Sequence, residues 1–233
     1  MPPPEILSRA AGIDLSAYRA THVSTQISRA LERERVTDVA TLARVLDHDP
    51  EARHDFRRSV AVSVTGLFRD PGQFELLERL LLPPLLARQG RIRVWSAGCS
   101  SGAELYSVAA LLQRAGALDR SFLLGSDILD ENIALARRGE HGGSRPEPPL
   151  HAVFHWEQRD LAAGSTPAPR FQLILCRNVL IYLSPPAKKR VHALLAGALA
   201  RDGILLLGRS ERLARPQELG LVAEAPQAYR RAA

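Results

Sequence analysis

The sequence predicts an α/β fold with a doubly wound, mostly parallel sheet, joined to a small N-terminal all-α domain. From Arg91 onward, strand-like and helix-like segments alternate along the chain, and this alternation is typical of a parallel sheet with helices on both faces. Residues 5 to about 60 carry helical periodicity and no strong strand pattern. At 233 residues, the chain can hold one sizeable core and a small second unit.

Short apolar segments and a C-terminal hairpin are the candidate strands. They lie at Arg93–Ser96, Phe122–Ser126, Val153–Trp156, Phe171–Leu175 and Ile204–Gly208, with the hairpin at residues 221–224 and 228–231. The helices between them are expected at Ala103–Arg114, Glu131–Arg138 and Pro186–Ala200. A connector rich in glycine and proline covers His141–Pro149, because that composition suits neither a strand nor a helix.

The N-terminal part is expected to be helical, and one more helix leads into the sheet. Asp14 or Ser16 is a candidate N-cap for a helix that runs through Arg33. The further predictions are a helix over Val39–Leu46 with Thr37 as its cap and Asp49-Pro50 as its end, a helical pattern over Phe56–Val64, and a helix from Gln73 to Leu82 ended by Pro83-Pro84. We therefore expect a helical domain over residues 1–64, a linker and helix over residues 65–90, and the sheet domain over residues 91–233.

Composition and charge argue against several classes of protein. No run of 18 or more apolar residues predicts a transmembrane helix, and the N-terminus lacks the basic start and apolar core of a secretory signal. The net charge of +6 invites nucleic-acid binding, but Lys188 and Lys189 are the only lysines among 31 basic residues, and the arginines are scattered. Cys99 and Cys176 have no secretory context, which favours reduced thiols in a cytoplasm. The scattered histidines form no metal-ligand pattern.

The most informative segment is the turn after the first predicted strand, within Val94–Glu104. Small residues cluster there, so that a ligand can approach the backbone beside the free N–H groups of a helix start. In an open α/β sheet, nucleotide-like cofactors bind in this crevice at the carboxyl end of the strand. The spacing differs from Gly-x-Gly-x-x-Gly, which disfavours a dinucleotide. A turn with few glycines followed by an acidic residue suits a cofactor without phosphates, such as S-adenosylmethionine (SAM).

Polar residues from other segments are candidates for the same crevice, and each has an ordinary alternative. Asp127 is placed to accept hydrogen bonds from ribose hydroxyls, or to cap the following helix. Glu104 could meet a ligand ammonium group, or complement a helix dipole. Asn178 offers a ligand both a donor and an acceptor, or forms a strand-exit turn. Arg69 and Tyr182 are alternatively a solvated arginine and an aromatic core residue.

Five ordered motifs resemble the CheR family of chemotaxis receptor methyltransferases, and the resemblance covers nearly the whole chain. They are Thr65–Pro71 (family pattern T-x-F-F-R-D-P), Val94–Ser107 (V-W-S-A-G-C-S-[ST]-G-E-E-P-Y-S), Ser126–Ile128 (the acidic ribose-binding segment), Phe171–Tyr182 (F-D-L-I-x-C-R-N-V-L-I-Y) and Leu206–Glu211 (L-F-x-G-H-S-E), and Gly12–Leu15 fits the family's helical domain. The family transfers a methyl group from SAM to glutamate side chains on receptor helices. The resemblance therefore implies a SAM-dependent protein-glutamate O-methyltransferase with a Rossmann-like sheet.

The resemblance also assigns site residues. It implies that SAM is bound by Ser63, Thr65, Arg69, Ala97, Gly98, Glu104, Asp127, Asp160, Leu161, Asn178 and Val179. In this assignment Glu104 and Asp127 bind the amino-acid and ribose portions, and Asp160-Leu161 flanks the adenine. Arg69 and Tyr182 are the implied catalytic residues, because they fall where the family brings the methyl group and the incoming carboxylate together.

The implied partner is a methyl-accepting receptor or another helical signalling protein. We expect a cytoplasmic monomer that neither binds nucleic acid nor inserts into a membrane. Members of the family commonly carry a small antiparallel β-subdomain that in some of them docks a receptor tail. Here only about 20 residues separate Gly139 from Asp160, too few for three strands and their turns.

Substitutions elsewhere depart from the family pattern. Gln26, Ala30 and Glu32 replace arginines of the family's basic N-terminal helix, while Ser63 and Ala103 replace an asparagine and an acidic residue near the cofactor. Each of the two losses near the cofactor removes about one hydrogen bond to SAM, roughly 0.5–1.5 kcal/mol. An alternative function therefore stays open, in which a weak or inactive methyltransferase-like module binds a partner within a signalling assembly.

Overall fold

The computed structural model describes residues 5–62, 65–88, 91–139, 153–167 and 170–232. The chain forms two compact units. The first comprises Met1–Ser63 and Tyr182–Lys189, and the second comprises Val64–Ile181 and Arg190–Ala233. Within the described ranges, no helix has the length and apolar character needed to cross a membrane.

The first unit is built from helices that pack around their own apolar core. The helices are α1 (Glu5–Ala11), α2 (Ala20–Glu34), α3 (Val39–His48) and α4 (Pro50–Ala61), with a short 3-10 turn at Leu15–Ala17 capped by Asp14. Leu42, Leu46 and Phe56 are fully buried in this core. The predicted N-terminal all-α domain is therefore confirmed.

Two aspartates set the boundaries of α3 and α4. The Asp38 carboxylate accepts a backbone N–H from the first turn of α3 at 2.8 Å, so Asp38 is the N-cap and not the predicted Thr37. Asp49 ends α3 and caps α4 in the same way. The helix α4 consequently begins at Pro50, well before the predicted start at Phe56, because proline is favourable in a first helical turn.

A later segment of the chain, Tyr182–Lys189, belongs to the helical unit. Tyr18 and Leu183 form an isolated antiparallel bridge. The backbone N–H of Arg19 donates to the carbonyl of Tyr182 at 2.9 Å, and that of Ser184 donates to the carbonyl of Ala17 at 2.8 Å. The first unit is therefore discontinuous in sequence.

The second unit contains a sheet of seven strands among the described residues. The strands are β1 (Arg93–Ala97), β2 (Phe122–Asp127), β3 (Phe154–Gln158), β4 (Phe171–Cys176), β5 (Leu199–Leu207), β6 (Leu221–Ala225) and β7 (Ala228–Arg231). Their order is β3-β2-β1-β4-β5-β7-β6. The first five strands in this order are parallel to one another, and β7 is antiparallel to both β5 and β6. The predicted doubly wound, mostly parallel sheet and its final hairpin are confirmed.

The strand β5 is longer than the sequence predicts. It begins at Leu199 instead of Ile204, because Leu199 pairs with Phe171 before an irregularity shifts the register of the β4–β5 pair. The preceding helix α9 (Pro185–Ala198) therefore ends before the predicted Ala200. The strand β3 is likewise shifted toward the C-terminus of its predicted range, ending at Gln158.

The other helices of the second unit are α5 (Pro71–Leu76), α6 (Leu82–Arg88), α7 (Ala103–Arg114) and α8 (Asp130–Arg138). The prediction that Pro83-Pro84 ends the helix from Gln73 is wrong. A π-helical turn over Leu77–Leu81 joins α5 to α6, and the N–H of Leu82 donates to the carbonyl of Leu77, five residues back. Because α6 begins at Leu82, Pro83 and Pro84 lie in its first turn, the part of a helix where a missing N–H costs least.

The core of the second unit centres on β1 and its neighbours. Trp95 of β1 is fully buried, and its ring lies 5.6 Å from that of Phe171. The indole N–H donates to the hydroxyl of Ser126 at 2.9 Å. This buried hydrogen bond satisfies both polar groups and ties β1 to β2 close to the carboxyl end of β2.

Two predictions concern residues outside the described ranges. They are the connector over His141–Pro149 and the argument that the segment between Gly139 and Asp160 is too short for a β-subdomain. The structure describes this segment only from Val153 onward, where β3 follows. Both statements stay predictions.

Candidate cofactor site

The carboxyl ends of three adjacent strands bring the predicted site residues to one edge of the sheet. β1 lies between β2 and β4, and Ala97 is in register with Ser126. The three strands therefore end side by side, at Ala97, Asp127 and Cys176. In open α/β sheets this edge, outside the carboxyl ends of the strands, is where ligands bind.

The turn after β1 requires glycine at position 98. Gly98 has a φ of +80°, and its N–H and that of Cys99 both donate to the carbonyl of Ser126, at 2.8 and 2.9 Å. A Cβ atom at Gly98 would lie only 2.5 Å from Cγ2 of Val179. The side chain of Val179, in the segment after β4, therefore packs directly against the backbone of the turn, which leaves no room for a Cβ at position 98.

Asp127 joins the turns that follow β1 and β2. Its carboxylate accepts the N–H of Ser100 at 2.8 Å, the N–H of Leu129 at 3.0 Å and the side-chain amide of Asn132 at 3.0 Å. The residue is 8% exposed, and burial raises the pKa of its carboxyl above the ordinary value, although the hydrogen bonds oppose that rise. The N-cap of α8 is Leu129 and not Asp127, although the Asp127 carboxylate binds the N–H of that residue. Asp127 also stands at the end of β2, where the resemblance assigns the ribose.

Glu104 pairs with a cation of the protein itself. One carboxylate oxygen accepts the hydroxyl of Ser96 at 2.7 Å, and the other accepts Nη1 of Arg177 at 3.1 Å. The residue sits in the first turn of α7, where negative charge complements the helix dipole. Two bonds leave further lone pairs on a carboxylate, so the pairing with Arg177 is compatible with the predicted contact to a ligand ammonium group.

Arg177 connects Glu104 to the loop that precedes α5. Its guanidinium donates to Oε1 of Gln73 at 2.8 Å, to the carbonyl of Arg69 at 2.6 Å and to a carboxylate oxygen of Asp70 at 3.1 Å. It also lies 5.1 Å from the ring centre of Phe74. The side chain is only 3% exposed, so most of its donors are used inside the protein.

The role of Arg177 was not predicted. A signal for it exists in the sequence, because an arginine directly follows a strand whose six residues are all buried. A charge in that position needs buried partners, and the acidic residue that meets it, Glu104, lies in another motif. Only the fold brings the two together.

The loop over Thr65–Asp70 holds the predicted Arg69. Phe68 and Asp70 have positive φ values of +50° and +61°, and the N–H of Phe68 donates to the hydroxyl of Ser107 at 2.9 Å. The Arg69 side chain is exposed and Thr65 is half-buried. Arg177 therefore holds the backbone of Arg69, leaving its side chain on the surface of the second unit.

Asp160, Leu161 and Tyr182 lie in two further places. Asp160 follows β3 and caps a short 3-10 turn through the N–H of Ala162 at 2.8 Å, with Leu161 buried behind it. Tyr182 belongs to the first unit, where its ring lies 5.1 Å from that of His22. Ser63 lies outside the described residues.

Cys99 and Cys176 are both buried and unbonded to each other. Burial raises the pKa of each thiol well above its ordinary value, and the nearby charge of Asp127 or Glu211 acts in the same direction. The two thiols are therefore protonated at neutral pH, which makes them poor nucleophiles. Among the described residues, no group of three or more His, Cys, Asp or Glu side chains is placed to hold a metal ion.

The donor set at this edge fits SAM. Asp127 offers a carboxylate where ribose hydroxyls are expected, and Glu104 offers one to an ammonium group. These groups suit a cofactor that carries hydroxyls and positive charge, which SAM does.

Comparison with known proteins supports the same cofactor. Residues 5–61 match the family described as CheR methyltransferase, all-alpha domain, and residues 63–148 and 145–227 match CheR methyltransferase, SAM binding domain. The chain is 27% identical over 238 residues to the chemotaxis protein methyltransferase of Listeria innocua, spanning 93% of this chain and 90% of the relative. Chemotaxis protein methyltransferase 1 of Pseudomonas aeruginosa is 26% identical over 239 residues (89% and 87%), and that of Vibrio cholerae 28% over 237 residues (89% and 86%).

Proposed function

Since the chain belongs to the CheR family of methyltransferases, and is therefore a SAM-dependent methyltransferase, we propose that it methylates glutamate side chains. The acceptor is a chemotaxis receptor or a related helical signalling protein. The observation that carries the proposal is the match of both domains, over about nine tenths of the chain, to proteins named chemotaxis protein methyltransferase. We further propose that the protein acts as a cytoplasmic monomer without a nucleic-acid partner.

The proposed cofactor contacts follow the strand ends. Asp127 accepts hydrogen bonds from the ribose hydroxyls, Glu104 binds the amino group, and Asp160-Leu161 flanks the adenine. Ala97, Gly98, Asn178 and Val179 line the middle of the pocket, and Thr65 and Arg69 contribute from the loop before α5. Ser63 is assigned to SAM by the family resemblance alone. Support for the central part comes from the packing of the Val179 side chain against Gly98 and from the buried carboxylates of Asp127 and Glu104.

The proposed reaction needs little covalent chemistry from the protein. Bound SAM supplies an activated methyl group on a sulfonium, which leaves in a single in-line displacement. A glutamate carboxylate is already ionised at neutral pH, so this chain needs no general base. Its own residues orient the acceptor and exclude the water that would solvate the carboxylate. We assign the orienting role to Arg69, because a guanidinium binds a carboxylate with two parallel hydrogen bonds. Tyr182 is the second residue that we propose as catalytic.

Methyl transfer to a receptor fragment tests this function. The purified protein is incubated with SAM carrying a tritiated methyl group and with the cytoplasmic fragment of a chemotaxis receptor. We expect label that mild alkali releases as methanol, because carboxyl methyl esters are base-labile. A matched fragment in which glutamine replaces the glutamates should stay unlabelled.

Two arginine variants sharpen that test. Arg69→Ala should lower the rate of transfer about 100-fold, the effect of losing acceptor orientation, while Arg79→Ala removes an exposed arginine of the same unit and should leave the rate within about twofold. Base-stable label would identify a different acceptor group. Absence of label from a protein that binds S-adenosylhomocysteine would favour the partner-binding module instead.

A further inference from the structure

The carboxylate of Glu211 is buried among backbone N–H groups. It is 4% exposed and accepts five hydrogen bonds from two stretches of chain. The Oε2 atom accepts the N–H groups of Asn178 and Gly208, at 2.9 and 2.8 Å. The Oε1 atom accepts those of Val179, Leu180 and Ile181, at 3.1, 2.7 and 3.3 Å.

Four of the five donors, the N–H groups of residues 178–181, belong to the segment that leaves β4. Asn178 has a φ of +61°, so the chain turns sharply there and its N–H groups no longer find partners in the sheet. Buried N–H groups without acceptors cost free energy. A single carboxylate satisfies four consecutive ones here, through charge-assisted hydrogen bonds that are stronger than neutral ones. Glu211 therefore fixes the path of residues 178–181.

The segment held by Glu211 is the one that meets the turn after β1. Val179 reaches to 2.5 Å from the position that a Cβ of Gly98 would occupy. On the other side, a Cβ at Gly208 would lie 2.6 Å from Oε2 of Glu211 and 2.9 Å from the N–H nitrogen of Asn178. A methyl group added at Gly98 or Gly208 would therefore meet the segment after β4 or the carboxylate that holds it.

We infer that Glu211 is a positioning residue of the SAM site, which acts by holding Asn178 and Val179 in the geometry that binds the cofactor. The inference rests on the proposed assignment of those two residues to the pocket. In this role both carboxylate oxygens of Glu211 accept backbone N–H groups, and the side chain does not touch the cofactor. Its effect on SAM passes entirely through the segment after β4.

Only a carboxylate of this length can fill the role. Glutamine offers one oxygen and one NH2 group, so either orientation turns an NH2 group toward two or three N–H donors. Aspartate keeps the charge but is one methylene shorter, and it cannot reach both ends of the segment. Glu211→Gln is therefore a sensitive test despite its small change in volume.

The test is calorimetric titration with S-adenosylhomocysteine, the demethylated product. We expect Glu211→Gln to bind at least about tenfold more weakly than the wild-type protein, the effect of about 1.4 kcal/mol. The matched control is Tyr229→Phe, which removes the hydroxyl that accepts the N–H of Leu213 at 3.1 Å. That change affects the same loop two residues beyond Glu211, leaves residues 178–181 untouched and should keep the affinity within about twofold.

A double-mutant cycle with Val179→Ala separates positioning from a general loss of structure. If Glu211 acts through Val179, the double variant should bind S-adenosylhomocysteine with nearly the same affinity as whichever single variant has the lower affinity. Fully additive losses would overturn the inference, and so would an unchanged affinity of Glu211→Gln. If Glu211→Gln does not fold, as judged by circular dichroism, Gly208→Ala takes its place, and unchanged binding by that variant would overturn the inference. A folded wild-type protein that fails to bind would instead overturn the proposed pocket.

Discussion

At the scale of single residues, the cofactor edge is held together by buried charge. Arg177 and Glu104 lie 3.1 Å apart and are both almost fully buried. Removing one member of such a pair strands the other charge in the interior, which typically costs about 3–5 kcal/mol. The pair therefore fixes the relative position of three motifs: the loop before α5, the start of α7 and the segment after β4.

Replacing Gly98 by alanine should weaken cofactor binding by at least about tenfold. The added Cβ would meet Val179 at 2.5 Å and the φ of +80° disfavours any side chain. Gly116→Ala is the matched control, because Gly116 also has a positive φ but has nothing within 4 Å of its Cβ position. Calorimetric titration with S-adenosylhomocysteine measures both. Equal effects in the two variants would show that backbone strain, and not the contact with Val179, matters.

The pKa of Asp127 predicts the pH dependence of binding. Burial raises this pKa, so protonation on acidification occurs at a higher pH than for an exposed aspartate. The ionised form accepts the ribose hydroxyls, so affinity for S-adenosylhomocysteine should fall as the pH drops from ~7 toward ~4, beginning above the ordinary aspartate range. In Asp127→Asn the affinity should be low and flat over this range. Parallel curves for the two proteins would contradict the assignment.

The same shift has the opposite sign for stability. Because the folded state binds the Asp127 proton more tightly than the unfolded state, this group's contribution is most favourable below the unfolded pKa and declines as the pH rises through the folded pKa. The ionised Asp127 needed for binding is thus slightly unfavourable for folding. Residues in functional sites commonly lower the stability of the folded state in this way.

At the scale of elements, the sequence patterns locate helices and strands well but miss features that depend on distant partners. The helix α7 is found with its observed limits, Ala103–Arg114, because its periodicity and its start signal are local. The π-helical turn at Leu77–Leu81 is missed, since it is a wider backbone path that no residue type signals. The early start of β5 is missed because it depends on pairing with Phe171.

Two glycines near the α9–β5 junction should respond oppositely to alanine. Gly197 lies in α9 with nothing within 4 Å of its Cβ position, so Gly197→Ala should raise the free energy of unfolding by about 0.5 kcal/mol through helix propensity. At Gly203 a Cβ would lie 2.9 Å from the carbonyl oxygens of Ala200 and Phe171. Gly203→Ala should lower the free energy of unfolding by about 1–3 kcal/mol. Urea denaturation measures both, and changes of the same sign would contradict the packing described at this junction.

At the scale of the whole molecule, the sequence predicts the fold class and the order of the motifs along one sheet edge, because strands and helices alternate so regularly. The candidate residues Gly98, Asp127 and Asn178 lie at the carboxyl ends of β1, β2 and β4, and β1 is the neighbour of both other strands. The return of Tyr182–Lys189 to the helical unit could not be predicted, since its evidence is backbone hydrogen bonds to Ala17 and Arg19. Likewise, nothing in the motif Leu206–Glu211 alone indicates that the Glu211 carboxylate accepts five backbone N–H groups, four of which come from residues 178–181.

The central claim is that these strand ends form the SAM site, and titration of the wild-type protein and Asp127→Ala with S-adenosylhomocysteine tests it most directly. We predict micromolar binding by the wild-type protein, about −8 kcal/mol, and a loss of at least about tenfold in Asp127→Ala. Asp119→Ala, which removes an exposed carboxylate just before β2, should bind like the wild type. Unchanged binding by Asp127→Ala, or no binding by a folded wild-type protein, would contradict the claim.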